Sequence, residues 1–197
     1  MNFFSKFLKS KISLFKQEED IKVDNDDSSI DEKFVKQFIH KGGKFLYCSD
    51  VEEAHLNMIQ ILKENHWNNV VCFDVDLKEF LTKINSAKTD KPLSNLPFFV
   101  NCESLTASDG SIMFSSKQLH DKKLKDLPVN FIVFAKTSQI TKDTRDGISG
   151  VRSRAEKNSP TIISSVKDYI HNKPETDFMN YGNTNSKTLY LLLLEDL

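Results

Sequence analysis

Glycine is scarce, with six in 197 residues. No G-x-G-x-x-G, P-loop or nucleophile elbow is present, so the glycine-built cradles of nucleotide and dinucleotide enzymes are not encoded. Cysteine is limited to Cys48, Cys72 and Cys102, an odd and widely spaced set. Such a set is no disulfide framework and fits a reducing compartment. It also cannot by itself supply the four thiolates of an iron–sulfur cluster, and buried structural thiols are the simpler reading. His40, His55, His66, His120 and His171 match no zinc spacing, so neither a metal site nor a cofactor is expected. Charge of one sign is not in excess: 27 Lys and Arg face 28 Asp and Glu, for a net charge of -1. That balance argues against a dedicated nucleic-acid binder. Long apolar runs are missing too. The longest is Leu189–Leu194, the length of a buried strand and far short of the roughly 20 residues that span a bilayer. Lys6, Lys9 and Lys11 break up the apolar residues of Met1–Phe15, leaving no signal-peptide core. The expected location is the cytoplasm.

The residues that are present describe a globular chain. Hydrophobic residues make up 39% and charged residues 28%, in a length suited to one domain with a short appendage. A chain of this size buries roughly 70% of the surface its unfolded form exposes, so it needs no covalent staple. Phenylalanine is common, at 15 residues, alongside many Lys and Asn. Part of this is codon bias, so lysine clusters carry little weight.

Residues 1–17 read as an amphipathic helix, with Phe4, Phe7, Leu8, Ile12 and Phe15 at helical spacing and only lysines for charge. Such a helix packs on the domain or a partner subunit, lies on a membrane surface, or is a frayed, unpacked tail. Residues 18–29 are an acidic linker without apolar periodicity, and residues 30–197 form the folded domain. Within it, Phe34, Val35, Phe38 and Ile39 predict a short helix ended by Gly42-Gly43. A helix over 51–65 follows, capped by Ser49 or Asp50, and a shorter one over 77–84. Strands are expected near 44–48, 69–73, 98–102, 110–115, 131–135, 161–163 and 188–194. A loop is expected over 85–95 and a helix over about 139–156. Nearly all-apolar strands alternating with helices predict an α/β fold: a mostly parallel sheet flanked by helices on both faces.

One segment stands out for chemistry: Asn101-Cys102-Glu103-Ser104-Leu105-Thr106-Ala107-Ser108-Asp109-Gly110-Ser111-Ile112. It leaves the end of a strand and gathers hydroxyls, two carboxylates and a glycine in a turn. Small residues there let backbone amides approach an anion, so Glu103, Ser108, Asp109, Gly110 and Ser111 are the candidate ligand-binding residues. No residue is assigned a catalytic role. The competing reading of Asp109-Gly110 is an ordinary hairpin turn.

The run Ala107–Ile112, the Leu127-Pro128 pair, the apolar Phe131–Ala135 and Ser138-Gln139-Ile140 resemble the centre of the LUD domain, the lactate-utilisation domain of the C type. There an A-E-T-G-S/T-I-like motif precedes a strand, and a Leu-Pro entry leads into an apolar strand and a helix. The resemblance covers roughly residues 34–195. It implies a fold similar to the sugar-phosphate isomerase and CoA-transferase superfamily, and a role beside iron–sulfur partner subunits in lactate oxidation. Ser108 and Asp109 stand where the family has glutamate and threonine. Ser164–Ile170 and Tyr181–Asn185 replace two glycine-bearing turns, which implies a diverged, short member.

Three functions are open at this level. The chain is an accessory protein of lactate or organic-acid utilisation that binds a small anion or a partner subunit. Alternatively it is an enzyme acting on a phosphorylated or CoA-linked substrate, with Glu103 or Asp109 as base and Ser108 and Ser111 as anion donors. The third is an interaction module that docks through its N-terminal helix.

Overall fold

The computed structural model describes residues 28–154, 162–169 and 186–196. The segment 1–17, nearly all of the acidic linker and the Tyr181–Asn185 turn lie outside the described residues. Helix α1 spans Ile30–His40, α2 Val51–Glu64 and α3 Val75–Lys83. Each starts where a short polar side chain captures a free amide of the first turn. Ser29 accepts from the Glu32 amide, Asp50 from that of Glu53 and Asp74 from that of Leu77. After α1 the chain reverses through Gly42 at φ 87°, as the paired glycines predict.

Six strands form a parallel sheet. They are β1 (Lys44–Cys48), β2 (Asn69–Val71), β3 (Ala87–Thr89), β4 (Phe98–Asn101), β7 (Asn130–Lys136) and β10 (Thr188–Leu194), in the order β1-β10-β7-β4-β2-β3. Side chains alternate between its faces, and both faces are buried. Leu189, Leu191 and Leu193 of β10, with Phe131, Val133 and Ala135 of β7, join Phe34, Val35 and Phe38 of α1 in one core. Leu192 and Leu194 of β10 and Ile132 of β7 face the other way, onto Ala54, Met58 and Ile61 of α2 and Leu77, Phe80 and Leu81 of α3. Burial on both faces is why these strands read as unbroken apolar runs.

A second, four-stranded sheet packs on the α1 side. It consists of β5 (Ser104–Thr106), β6 (Ser111–Ser115), β8 (Ile140–Thr141) and β9 (Ile163–Val166), in the order β8-β5-β6-β9. It grows from the carboxyl ends of the parallel strands: β5 starts just after β4, and β8 follows β7 through a 3-10 turn at Thr137–Gln139. Gln139 Nε2 ties the two exits together, donating to the Cys102 carbonyl at 2.6 Å. Leu105, Ile112, Phe114 and Val166 fill the space between the sheets, and Phe131 meets Phe98 and Phe114 edge-on at 5.2 and 6.0 Å.

Three expectations are revised. The predicted 85–95 loop contains β3, which among the described residues is an edge strand paired with β2; its exposed Ala87 and Lys88 leave no apolar pattern to read. The predicted helix over 139–156 is shorter. Residues 140–141 pair with β5 as β8, and helix α4 runs Thr144–Arg154 from an Asp143 cap. The strand expected at 161–163 lies at Ile163–Val166, set by pairing with β6. Among the described residues no helix is long and apolar enough to cross a membrane.

Candidate functional site

The segment singled out in the sequence spans the exit from β4, all of β5 and the turn into β6. β5 and β6 are antiparallel, with Ser104 opposite Met113 and Thr106 opposite Ser111. The turn is held from within. The Gly110 amide donates to the Thr106 carbonyl at 2.8 Å, and Asp109 Oδ1 accepts from the Ser111 amide at 3.1 Å and the Ser111 hydroxyl at 2.6 Å. Asp109 Oδ2 pairs with Lys167 at 3.1 Å. Partial burial pushes the Asp109 carboxyl up, but the Ser111 bonds and Lys167 outweigh it and hold it below the ordinary range.

Gly110 is buried at φ +64°, directly against the α1 backbone. The Tyr169 hydroxyl donates to its carbonyl at 2.6 Å. Burial raises the Tyr169 pKa well above 10, so this donor keeps its proton. Glu103 begins the hairpin, its amide donating to the Met113 carbonyl at 2.8 Å. Ser108 is exposed, and its amide donates to the Lys142 carbonyl at 3.1 Å.

Beside this turn lies an open groove of about 760 Å³, lined by Ser108, Asp143, Thr144, Arg145, Ile148, Ser149 and Arg152. Of the five residues picked from sequence, Ser108 lines it, whereas Glu103, Asp109, Gly110 and Ser111 are not among its lining residues. Every other wall residue comes from α4 or its cap. Asp143 occupies the helix start itself, accepting from the Arg145 amide at 2.8 Å and the Asp146 amide at 3.0 Å. These amides hold the Asp143 carboxyl below its ordinary range. With the Arg145 and Asp146 amides so occupied, the polar groups the groove presents are side chains: the Asp143 carboxylate, two guanidinium groups and the hydroxyls of Ser108, Thr144 and Ser149. Arg145 and Arg152 are seven residues apart, about 10 Å along the axis, and their long side chains can converge on one oxyanion.

The sequence reading expected a helix here but gave it no part in a site, although the sequence carried a signal. The chain has three arginines, Arg145, Arg152 and Arg154, among its 27 basic residues, and all three fall in this helix. Where lysine is the default cation, confinement of arginine to one helix marks a need for its fixed, bidentate donor geometry.

The cysteines form no common site. Cys48 and Cys72 lie in the core on the α2–α3 side and Cys102 in the core on the α1 side. Burial pushes the thiols of Cys48 and Cys72 up to about 11 and about 12, and that of Cys102 higher still. Among the described residues no group of three or more His, Cys, Asp or Glu is arranged to hold a metal ion.

No family model matches the chain, and no curated protein does. Among solved structures it is similar to the crystal structure of a DUF162 family protein from Deinococcus radiodurans. The TM-score is 0.59 at 13% sequence identity, over 85% of this chain and 96% of that one. At that identity the likeness establishes a shared fold.

Proposed function

We propose that this protein is a LUD-like accessory protein of lactate or related organic-acid utilisation, and that it binds a small organic anion in the groove between α4 and the β5–β6 turn. One observation carries the binding role: the arginines of a lysine-rich chain are gathered on one helix, and two of them line a groove walled by hydroxyls. The organic-acid assignment is supported by the fold shared with a DUF162 protein, DUF162 being the LUD-domain family. It is supported further by the sequence resemblance over 107–140. Binding is favoured over catalysis by the state of Asp109. A base needs a carboxylate free to take a proton at neutral pH, and Asp109 is bonded to Ser111 and Lys167 with its pKa lowered. Iron–sulfur partner subunits belong to the same reading, with residues 1–17 as the docking element.

Calorimetric titration of the full chain with L-lactate and pyruvate tests the binding role. Saturable binding that Arg145→Gln and Arg152→Gln each weaken supports it. Binding of equal strength in both variants removes the groove from consideration. A pull-down through the full chain tests the partner, with recovery of iron–sulfur subunits expected.

A further inference from the structure

Arg145 and Arg152 line the groove, and among the described residues neither has an ion-pair partner. The groove's own carboxylate, Asp143, is engaged by the Arg145 and Asp146 amides. The sequence holds a run of the opposite charge. Between residues 18 and 27 stand Glu18, Glu19, Asp20, Asp24, Asp26 and Asp27, with Lys22 as the lone basic residue.

The fold delivers this run to the groove. Helix α1 crosses the end of the second sheet, and its contacts give the direction. Just past its last turn, the Lys41 carbonyl accepts from the Tyr169 amide, beyond β9, at 3.2 Å. Gln37 and Phe38 pack against Gly110 in the β5–β6 turn. The helix also packs on β8, at the opposite edge of the sheet from β9. Followed backwards, α1 therefore leads from β9 past the β5–β6 turn to β8. One residue after β8 comes Asp143, the cap of α4, so α1 and α4 start at the same corner. Reach is sufficient. Ile30 lies about 10 Å along the axis from Gln37, and the six residues from Asp24 to Ile30 extend up to about 20 Å. The start of α1 does not hold the acidic run itself. Its first turn carries Asp31 and Glu32, and burial and then the Glu32 charge raise the Asp31 carboxyl. Further carboxylates are repelled from that end.

We infer that Asp24, Asp26 and Asp27 dock in the groove of their own chain against Arg145 and Arg152, and that a free anion binds by displacing them. This rests on the proposed anion site and adds its regulation. Aspartate offers the guanidinium groups the same carboxylate that a small organic acid does. Tethering makes it a strong competitor, since a short linker holds it at an effective concentration on the order of millimolar.

The test compares the full chain with a linker variant, Asp24→Asn with Asp26→Asn and Asp27→Asn. A charge control carries Glu52→Gln, Asp76→Asn and Glu79→Gln on the exposed surface of α2 and α3. Two readouts are taken: calorimetric titration with L-lactate, and the backbone amide NMR signals of Ser108 and Ser149 without ligand. The linker variant should bind lactate roughly fivefold more tightly, the value for a groove open in about one parent molecule in five. Both amide signals should shift, and the charge control should match the parent. In an Arg145→Gln background the three linker changes should shift neither signal. Either readout unchanged, while lactate binds, overturns the docking and leaves the anion site standing. An equal gain in the charge control does the same, as do shifts that persist without Arg145. Shifts that fade on dilution place a second copy's linker in the groove and overturn docking within one chain. Shifted signals with no lactate binding to either protein uphold the docking and overturn the small-anion reading. Neither shifts nor lactate binding overturns both.

Discussion

Replacing Gly110 with alanine adds one methyl group at the tip of the β5–β6 hairpin, and two costs and one offset decide the outcome. The residue sits at φ +64°, in a region that costs an L-residue roughly 1–2 kcal/mol. The new Cβ would stand 2.7 Å from the Gln37 carbonyl carbon and 2.7 Å from the Phe38 amide nitrogen. Both are backbone atoms of α1, so neither can rotate away, and the hairpin and helix must separate by several tenths of an ångström. Overpacking of this kind typically costs about 1–3 kcal/mol. The separation disturbs what the approach sets up, including the Phe38–Tyr169 ring contact at 4.6 Å and the Tyr169 hydroxyl bond to the Gly110 carbonyl. Against these, alanine restricts the unfolded chain and returns about 0.4–1 kcal/mol. The expected result is a net loss of about 2–4 kcal/mol. Urea unfolding followed by circular dichroism measures it, with the midpoint falling and the slope unchanged. Affinity for the anion proposed to bind the groove should stay at the parent value under native conditions, since Gly110 is not among the groove's lining residues. A loss below about 1 kcal/mol would refute the argument that close contact with α1 is what requires glycine here.

Lys187 is buried with its ammonium donating to the carbonyls of Leu124, Leu127 and Pro128 at 2.7, 3.1 and 3.0 Å. Lys187→Met strands those carbonyls and should cost about 2–4 kcal/mol at pH 7. Burial lowers the Lys187 pKa from 10.5 to about 8, so the folded protein sheds this proton before the unfolded chain does. Its contribution to stability therefore rises with pH between about 8 and 10.5, and Lys187→Met should lack that rise in urea titrations across the window. For Asp109 the sign is the same, in the acid range. Its folded pKa lies below the unfolded value, so its stabilisation is present above the ordinary carboxyl range and fades as pH falls through the folded value. Asp109→Asn should be less stable than the parent at pH 7 and indistinguishable from it in strong acid; a gap that persists there would point away from the carboxylate. The raised, buried thiols should resist a disulfide reagent at pH 8 and all react once urea unfolds the chain, so fast labelling of the native protein would contradict the burial. Removing residues 1–28 should leave a cooperative melt, and its loss would place that segment in the core.

Much of the fold was legible because both faces of the main sheet are buried. Residues 98–101, 130–136 and 188–194 announce themselves as apolar runs whatever they pair with, and Asp50 and Gly42 mark helix ends by local chemistry alone. Strand order is not local. That Leu191 lies between Phe45 and Val133 follows from the crossovers, and no window of sequence contains it. The missed strands share one cause: β3, β5 and β8 are two or three residues long, with partners chosen by position rather than composition.

The candidate site divides along the same line. Composition and turn chemistry drew attention to residues 103–111, with Gly110 among the small residues that permit a close approach. Only the tertiary structure identified the approaching group as the α1 backbone and turned Asp109 inward to Ser111 and Lys167. It also brought α4, some 40 residues further along the chain, against Ser108 and placed Arg145 and Arg152 on one groove. Sequence determines which side chains carry charge, hydroxyl or apolar surface, because those properties belong to the residue. Which of them converge depends on the packing of a second sheet beyond the carboxyl ends of the first, and that is settled by long-range burial.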